Sequence, residues 1–171
     1  MAARGIQRVC LEICRRIWTY EVKLRCASYQ EPLTVNHRST VSRNTRLGKN
    51  VNFNGMSVEG AGEVTIGDNF HAGKGCLIIT QNHDYDTGDH IPYDQERVLL
   101  KTVTIGDNVW LGSRVIILPG ASLAEGSIIQ AGSVVAGAIP KYAIAGGHPA
   151  KVFRYRDAGH YERLKASGSY C

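Results

Sequence analysis

The sequence predicts an all-β solenoid, a parallel β-helix of three-sided coils, and three observations carry that expectation. Six consecutive six-residue units run in phase from Ile105 to Pro140, opening on Ile105, Leu111, Ile117, Leu123, Ile129 and Val135. The same beat occurs earlier, at Leu47-Gly-Lys-Asn-Val-Asn52 and Ile66-Gly-Asp-Asn-Phe-His71. Glycines number 19 and aromatic residues make up only 8%, so the core is built from aliphatic and small side chains rather than from rings.

A six-residue period is restrictive. Helix faces recur near 3.6 residues and strand faces every two, so neither element alone holds the phase. A short strand and a corner, repeated three times, return the chain above its own start. Successive coils then stack as parallel sheets about 4.8 Å apart. The first-position aliphatics pile into an interior column, each worth roughly 1.5–3 kcal/mol when buried. Glycine and alanine fit the corners, where room is short and unusual backbone angles are needed. Each coil contacts only its neighbours, as in other solenoids.

Taken in chain order, residues 1–33 form an N-terminal helical segment. Ile6, Val9, Ile13, Ile17 and Leu24 fall near helical spacing with Arg8, Arg15, Arg16, Lys23 and Arg25 between them, an amphipathic basic helix. Such a helix docks on its own domain or on a neighbouring subunit; peripheral contact with a membrane surface is the alternative. The β-helix occupies residues 34–156. Its beat breaks once, between Ile79 and Val103, and the excursion over residues 80–102 opens with the polar run Thr80-Gln-Asn-His-Asp-Tyr-Asp-Thr-Gly-Asp-His-Ile-Pro-Tyr-Asp94. A long structureless departure from a regular scaffold usually carries function. Residues 157–171 are a C-terminal tail with a short helix near Tyr161 to Lys165.

Composition sets further bounds. A hydrophobic content of 43% excludes wholesale disorder. The net charge of +5 suits an anionic partner, and Lys141, Lys151, Arg154 and Arg156 gather near the C-terminus. No stretch interleaves aromatic and basic residues as base stacking requires, so no nucleic-acid partner is expected. The five cysteines, Cys10, Cys14, Cys26, Cys76 and Cys171, are odd in number and lack paired metal-ligand spacing, which argues against a disulfide framework. With no apolar run of membrane-spanning length and no cleavable leader pattern, the expected location is cytoplasmic.

The stretch from Ile105 to Pro140, followed by Ala145-Gly-Gly-His-Pro-Ala-Lys-Val-Phe-Arg154, resembles the hexapeptide-repeat acyltransferases, closest to the galactoside, xenobiotic and polysaccharide O-acetyltransferases. The resemblance covers about residues 34–156. It rests on the repeat together with Asn82-His83-Asp84, Val109-Trp-Leu-Gly-Ser113 and Pro149-Ala-Lys-Val-Phe-Arg154. It implies a left-handed coil, an extruded active-site loop, acetyl-CoA as acyl donor with no metal, and a small-molecule or glycan acceptor. It also implies a homotrimer with active sites between subunits. His83 and Trp110 would then come from facing subunits, or from the two walls of one shared cleft.

By the same resemblance His83 is the general base that takes the acceptor's hydroxyl proton. Imidazole chemistry fits that task, because an alcohol is a poor nucleophile near neutral pH and the free group titrates nearby. Asp84, Asp86 or a backbone carbonyl would orient its second nitrogen. Trp110 matches the aromatic at the thioester end of the donor channel. Ser113, Ala131 and Ala136 match small positions along the β-helix edge facing the pantetheine arm, and Lys151 and Arg154 match cations near the nucleotide phosphates. Asn52 and Asn54 resemble the acceptor-facing polar stretch, with amides able to donate to and accept from sugar hydroxyls; Tyr85 and Tyr93 are further acceptor candidates from the excursion. His90 is a candidate lining of the acceptor pocket, His71 a surface or interface residue, and His148 stands where the family usually has Asn.

Other chemistries remain open on such a prism. An N-acetyltransferase acting on an amino sugar or other amine would also use His83. A γ-carbonic-anhydrase-like metal enzyme would need three converging histidines, and His71, His83 and His90 are spaced by twelve and seven residues, unlike that group's paired pattern. A binding or assembly module that has lost its chemistry is the third alternative.

Overall fold

A computed structural model describes residues 2–170. Helix α1 (Ala2–Arg25) leads into a three-walled parallel β-solenoid, and helix α2 (Ala158–Ala166) follows it. The first wall contains Thr45–Leu47, Val64–Ile66, Val103–Ile105, Ser122–Leu123 and Ala138–Ile139. The second contains Leu33–His37, Val51–Asn54, His71–Lys74, Trp110–Leu111, Ile128–Ile129 and Ala143–Gly147, with Ala150–Tyr155 added antiparallel at its end. The third contains Ser57–Glu59, Leu77–Ile79, Ile116–Ile117 and Val134–Val135.

The repeat positions do what a six-residue period requires of them. Ile105, Leu111, Ile117, Leu123, Ile129 and Val135 are all buried. They stack in register within each wall: Leu47, Ile66, Ile105, Leu123 and Ile139 in the first; Ala72, Leu111, Ile129 and Ala145 in the second; Val58, Ile78, Ile117 and Val135 in the third. Fifth-position Val109, Val115 and Ala121 turn inward as well and close the corners from inside. Burial of these three columns is the main stabilising term.

Polar ladders hold the vertex between the first and second walls, where Gly-Asp-Asn recurs. The Asn69 amide donates to Asn108 at 3.0 Å and accepts from Asn50 at 2.9 Å, while the Asp68 and Asp107 carboxylates accept the backbone N–H groups of Lys49 and Asp68. Asn50, Asn69 and Asn108 adopt positive φ, which asparagine tolerates better than most residues. At the next vertex, between the second and third walls, Gly112 is obligatory for another reason: a Cβ there would lie 2.5 Å from the Ala131 nitrogen of the coil stacked on it.

Two segments differ from the sequence expectation. The excursion is an antiparallel hairpin of Gln81–Asp84 and Asp94–Leu100, with His83 opposite Val98. The tail helix is longer than expected and is tied to the solenoid: Tyr161 accepts from the Asn108 amide at 2.7 Å and donates to Glu125 at 3.0 Å, and Lys165 meets Glu125 at 2.5 Å.

Candidate active site

The hairpin leaves the vertex between the third and first walls, since it follows Ile79 of the third and precedes Val103 of the first. Two buried carboxylates shape it. Asp84 accepts from the backbone N–H groups of Asp86 and Thr87 at 3.1 and 3.0 Å and from the Thr87 hydroxyl at 2.5 Å. Asp94 accepts from the N–H groups of Asp89, Glu96 and Arg97. The Thr87 hydroxyl bond holds the Asp84 carboxyl below its ordinary pKa, and the Asp89 N–H does the same for Asp94.

His83 is half-buried on the first strand of this hairpin. Its ring stacks on Tyr93, with centroids 4.3 Å apart and planes 22° from parallel. Its Nδ1 is buried with no hydrogen-bond partner among the described residues. Of the three orienting partners expected, Asp84 has its oxygens committed to the turn and Asp86 is exposed. The hydrogen-bonded partner expected for His83 is thus replaced within the chain by an aromatic face. Tyr85 and His90 are exposed in the turn beyond.

The remaining candidates fall elsewhere on the prism. Asn52, His71, Trp110, Ile128, Ile144 and Arg154 stand on one line across the outside of the second wall, strand by strand. Trp110 and Arg154 are three strand steps apart, about 14 Å at the usual spacing, both exposed, and Lys151 precedes Arg154 on the same terminal strand. Asn52 Oδ1 accepts from Asn36 at 3.1 Å and from Asn54 at 3.3 Å, and Asn54 also donates to the Ala72 carbonyl at 2.7 Å. The Asn54 amide hydrogens are thus held within the coil.

Ser113 and Ala131 sit exposed on the vertex between the second and third walls. Ala136 sits exposed on the vertex that carries the hairpin. The small positions expected along one edge therefore lie on two. His83 and Trp110 are also apart, because the hairpin's vertex is opposite the second wall. His71, His83 and His90 do not converge, and among the described residues no cluster of three or more His, Cys, Asp or Glu is arranged to hold a metal.

Sequence reasoning passed over one feature beside Trp110. A groove of about 300 Å³ runs between the second wall and α2, lined by His71, Trp110, Arg156, Tyr161 and Tyr170 among others. The Nε2 of His71 is buried there without a partner among the described residues. The step from His71 to Trp110 is 39 residues because it contains the excursion, so only the stacked coils reveal the adjacency.

A three-walled, left-handed parallel β-helix with an imidazole on its one extruded hairpin defines a class, the β-helical group-transfer proteins. Comparison gives the family within it. Residues 102–137 match the bacterial transferase hexapeptide (six repeats). The galactoside O-acetyltransferase of Escherichia coli K12 is 35% identical over 127 residues, covering 69% of this chain and 59% of that protein. A galactoside acetyltransferase solved with coenzyme A superposes with a TM-score of 0.65 at 28% identity, covering 84% of this chain and 70% of the other. A hexapeptide-repeat acetyltransferase of Vibrio cholerae O1 biovar eltor, solved with acetyl coenzyme A, gives 0.59 at 26% identity, covering 77% and 67%. The chain belongs to the hexapeptide-repeat acyltransferase family. It spans about half the length of the curated relatives it matches, 55% and 59% of two of them.

Proposed function

We propose that the protein is an acetyl-CoA-dependent O-acetyltransferase acting on a hydroxyl of a sugar or glycan, with His83 as general base. The observation that carries the reading is the placement of His83: half-buried on the one interruption of the coil, its ring clamped by Tyr93 and its Nδ1 unpaired. Galactoside and acetyl-CoA chemistry in the relatives supports the donor and the acceptor class.

In this mechanism His83 accepts the acceptor's hydroxyl proton as that oxygen bonds to the thioester carbonyl carbon. The resulting imidazolium returns the proton to the departing CoA sulfur when the C–S bond breaks, leaving an acetyl ester and the free thiol. Trp110 flanks the thioester end, Ser113, Ala131 and Ala136 flank the pantetheine arm, and Lys151 and Arg154 pair with phosphates. Asn52, Asn54 and Tyr85 contact the acceptor. Trp110 and Arg154 share a straight track on the outer line of the second wall, with Ser113 and Ala131 at its border with the third; Ala136, on the hairpin's vertex, would reach a donor held against a neighbouring prism. No metal is required.

His83 and Trp110 lie on opposite sides of one prism, so a shared site calls for a second copy. A homotrimer of cytoplasmic protein, with sites between subunits, meets that need. Val98, Leu99 and Leu100 on the second hairpin strand are each more than two-fifths exposed and offer apolar surface to a neighbouring prism. A peripheral membrane contact through α1 belongs to the same reading.

The test is thiol release from acetyl-CoA by purified protein against a panel of sugars, lipid-linked glycans and the matching amino sugars. Products labile to alkaline hydroxylamine are esters and fit the proposal. Alkali-stable amides would move the assignment to N-acetylation, and no thiol release with any acceptor would remove it.

A further inference from the structure

Helix α1 is amphipathic twice over. One side docks on the solenoid: Val22 is fully buried, Trp18 packs on the core and stacks on His37, and the Thr19 hydroxyl accepts the Val35 N–H at 3.1 Å. The opposite side carries Val9, Ile13, Ile17, Tyr20 and Leu24, which fall within about 80° on the helical wheel. Each is between 52% and 67% exposed. An apolar stripe of this length turned to water is costly unless something covers it.

The charge around the stripe identifies the cover. Six basic and two acidic residues give α1 a net +4 of the chain's +5, so the other residues together carry only +1. The positive charge of the chain is thus concentrated on this helix, which an anionic surface would complement. Arg16 and Lys23 border one edge of the stripe; at the other edge Glu21 is the nearest charge, with Arg25 beyond it. Arg15, Arg16, Tyr20 and Lys23 also line a cleft of about 520 Å³ beside it. Glu12 lies 3.6 Å from Arg16 and Glu31 2.6 Å from Lys23, so these cations are balanced in part locally. An apolar face with basic residues along one margin, on a helix of net +4, is the arrangement of a helix lying in the plane of a bilayer interface.

We infer that the outward face of α1 docks on an anionic phospholipid surface, with Val9, Ile13, Ile17, Tyr20 and Leu24 entering the acyl boundary and the flanking basic residues meeting headgroup phosphates. This rests on the membrane contact proposed above and gives it a face and a lipid class. The stripe runs along one side of the helix, which sets the contact in the plane of the surface; among the described residues no helix is long and apolar enough to cross a membrane. Docking would hold the solenoid against the surface where lipid-linked glycans are presented.

The experiment is flotation of the full-length protein with phosphatidylcholine vesicles, with and without phosphatidylglycerol, at low and high salt. The wild type is expected to float with the anionic vesicles and to be released by salt. The triple variant Ile13→Ser, Ile17→Ser, Leu24→Ser, its fold checked by circular dichroism, should bind at least about tenfold more weakly to them. Arg16→Gln with Arg25→Gln should weaken anionic binding by about fivefold per charge and leave neutral vesicles unaffected. The inference is overturned if the wild type fails to float, or if the serine variant floats as well as the wild type. It is equally overturned if light scattering shows that the serine variant changes subunit number, since a second copy would then cover the stripe. Vesicle binding needs no acetyl transfer, so this result stands apart from that of the activity assay.

Discussion

The coils from Ile105 to Ile139 and the hairpin from Gln81 to Leu100 are neighbours built on opposite principles. In the coils, one aliphatic per unit is withdrawn from water and stacked on its counterpart above and below. In the hairpin, Val98, Leu99, Leu100 and Ile91 face outward, and the buried side chains in its turn are the carboxylates of Asp84 and Asp94. Stability is therefore concentrated in the columns, while the hairpin is shaped by directional hydrogen bonds. An imidazole acting as the proposed general base would gain from that division, since the hairpin that carries it can be shaped without disturbing the column beneath.

Substitutions can break this division, beginning with the largest effect. Leu111→Ala removes a fully buried link of the second-wall column and should cost about 2–5 kcal/mol of stability, read by chemical denaturation. His83→Ala should leave that denaturation curve within about 1 kcal/mol of wild type. It should nevertheless lower turnover by roughly 100-fold or more, with acetyl-CoA affinity by calorimetry little changed. A His83 variant that unfolds the protein would show that the hairpin is structural.

A smaller effect is expected at Asp84. Asp84→Ala strands two backbone donors and the Thr87 hydroxyl, so the turn should loosen by about 1–3 kcal/mol. Hydrogen exchange over residues 85–93 should rise while the coils stay protected. Acid should act likewise. The Asp84 and Asp94 carboxyls titrate below their ordinary value in the folded state, so they stabilise the hairpin at every pH above the ordinary carboxylate range. That contribution is lost as pH falls through the lowered folded-state values. Exchange in the hairpin that rose between pH 7 and 5 would contradict the assignment of its shape to these two groups.

The same division explains what could be read from the sequence. The coil was legible because a six-residue aliphatic period has one economical solution, and Ile105 through Val135 keep it without error. The interruption was legible as a break, and His83 as its most reactive side chain. The antiparallel pairing inside the break was hidden, because Asp84 and Asp94 fix it through backbone N–H groups rather than through an alternating apolar pattern. The line from Asn52 through His71 and Trp110 to Arg154 was also hidden. The register of the solenoid steps 18 residues from Ile105 to Leu123 but 39 from Ile66 to Ile105, so the excursion scrambles the arithmetic that places His71 under Trp110. Which of Asp84, Asp86 or a backbone carbonyl would orient His83 could not be read from the sequence, because the commitment of Asp84 to the turn depends on the folded backbone.

The central claim is that the His83 hairpin of one prism works against the Trp110 wall of another, and subunit mixing tests it most directly. His83→Ala and Trp110→Ala proteins, each inactive or nearly so alone, are unfolded together in equal amounts, refolded and assayed for thiol release. If each site takes its histidine and its tryptophan from different subunits, random assembly restores about a quarter of the sites and activity rises well above either parent. Activity no higher than the mean of the two parents, from mixtures shown to contain both chains in one assembly, would place both residues in a single subunit's site and contradict the account.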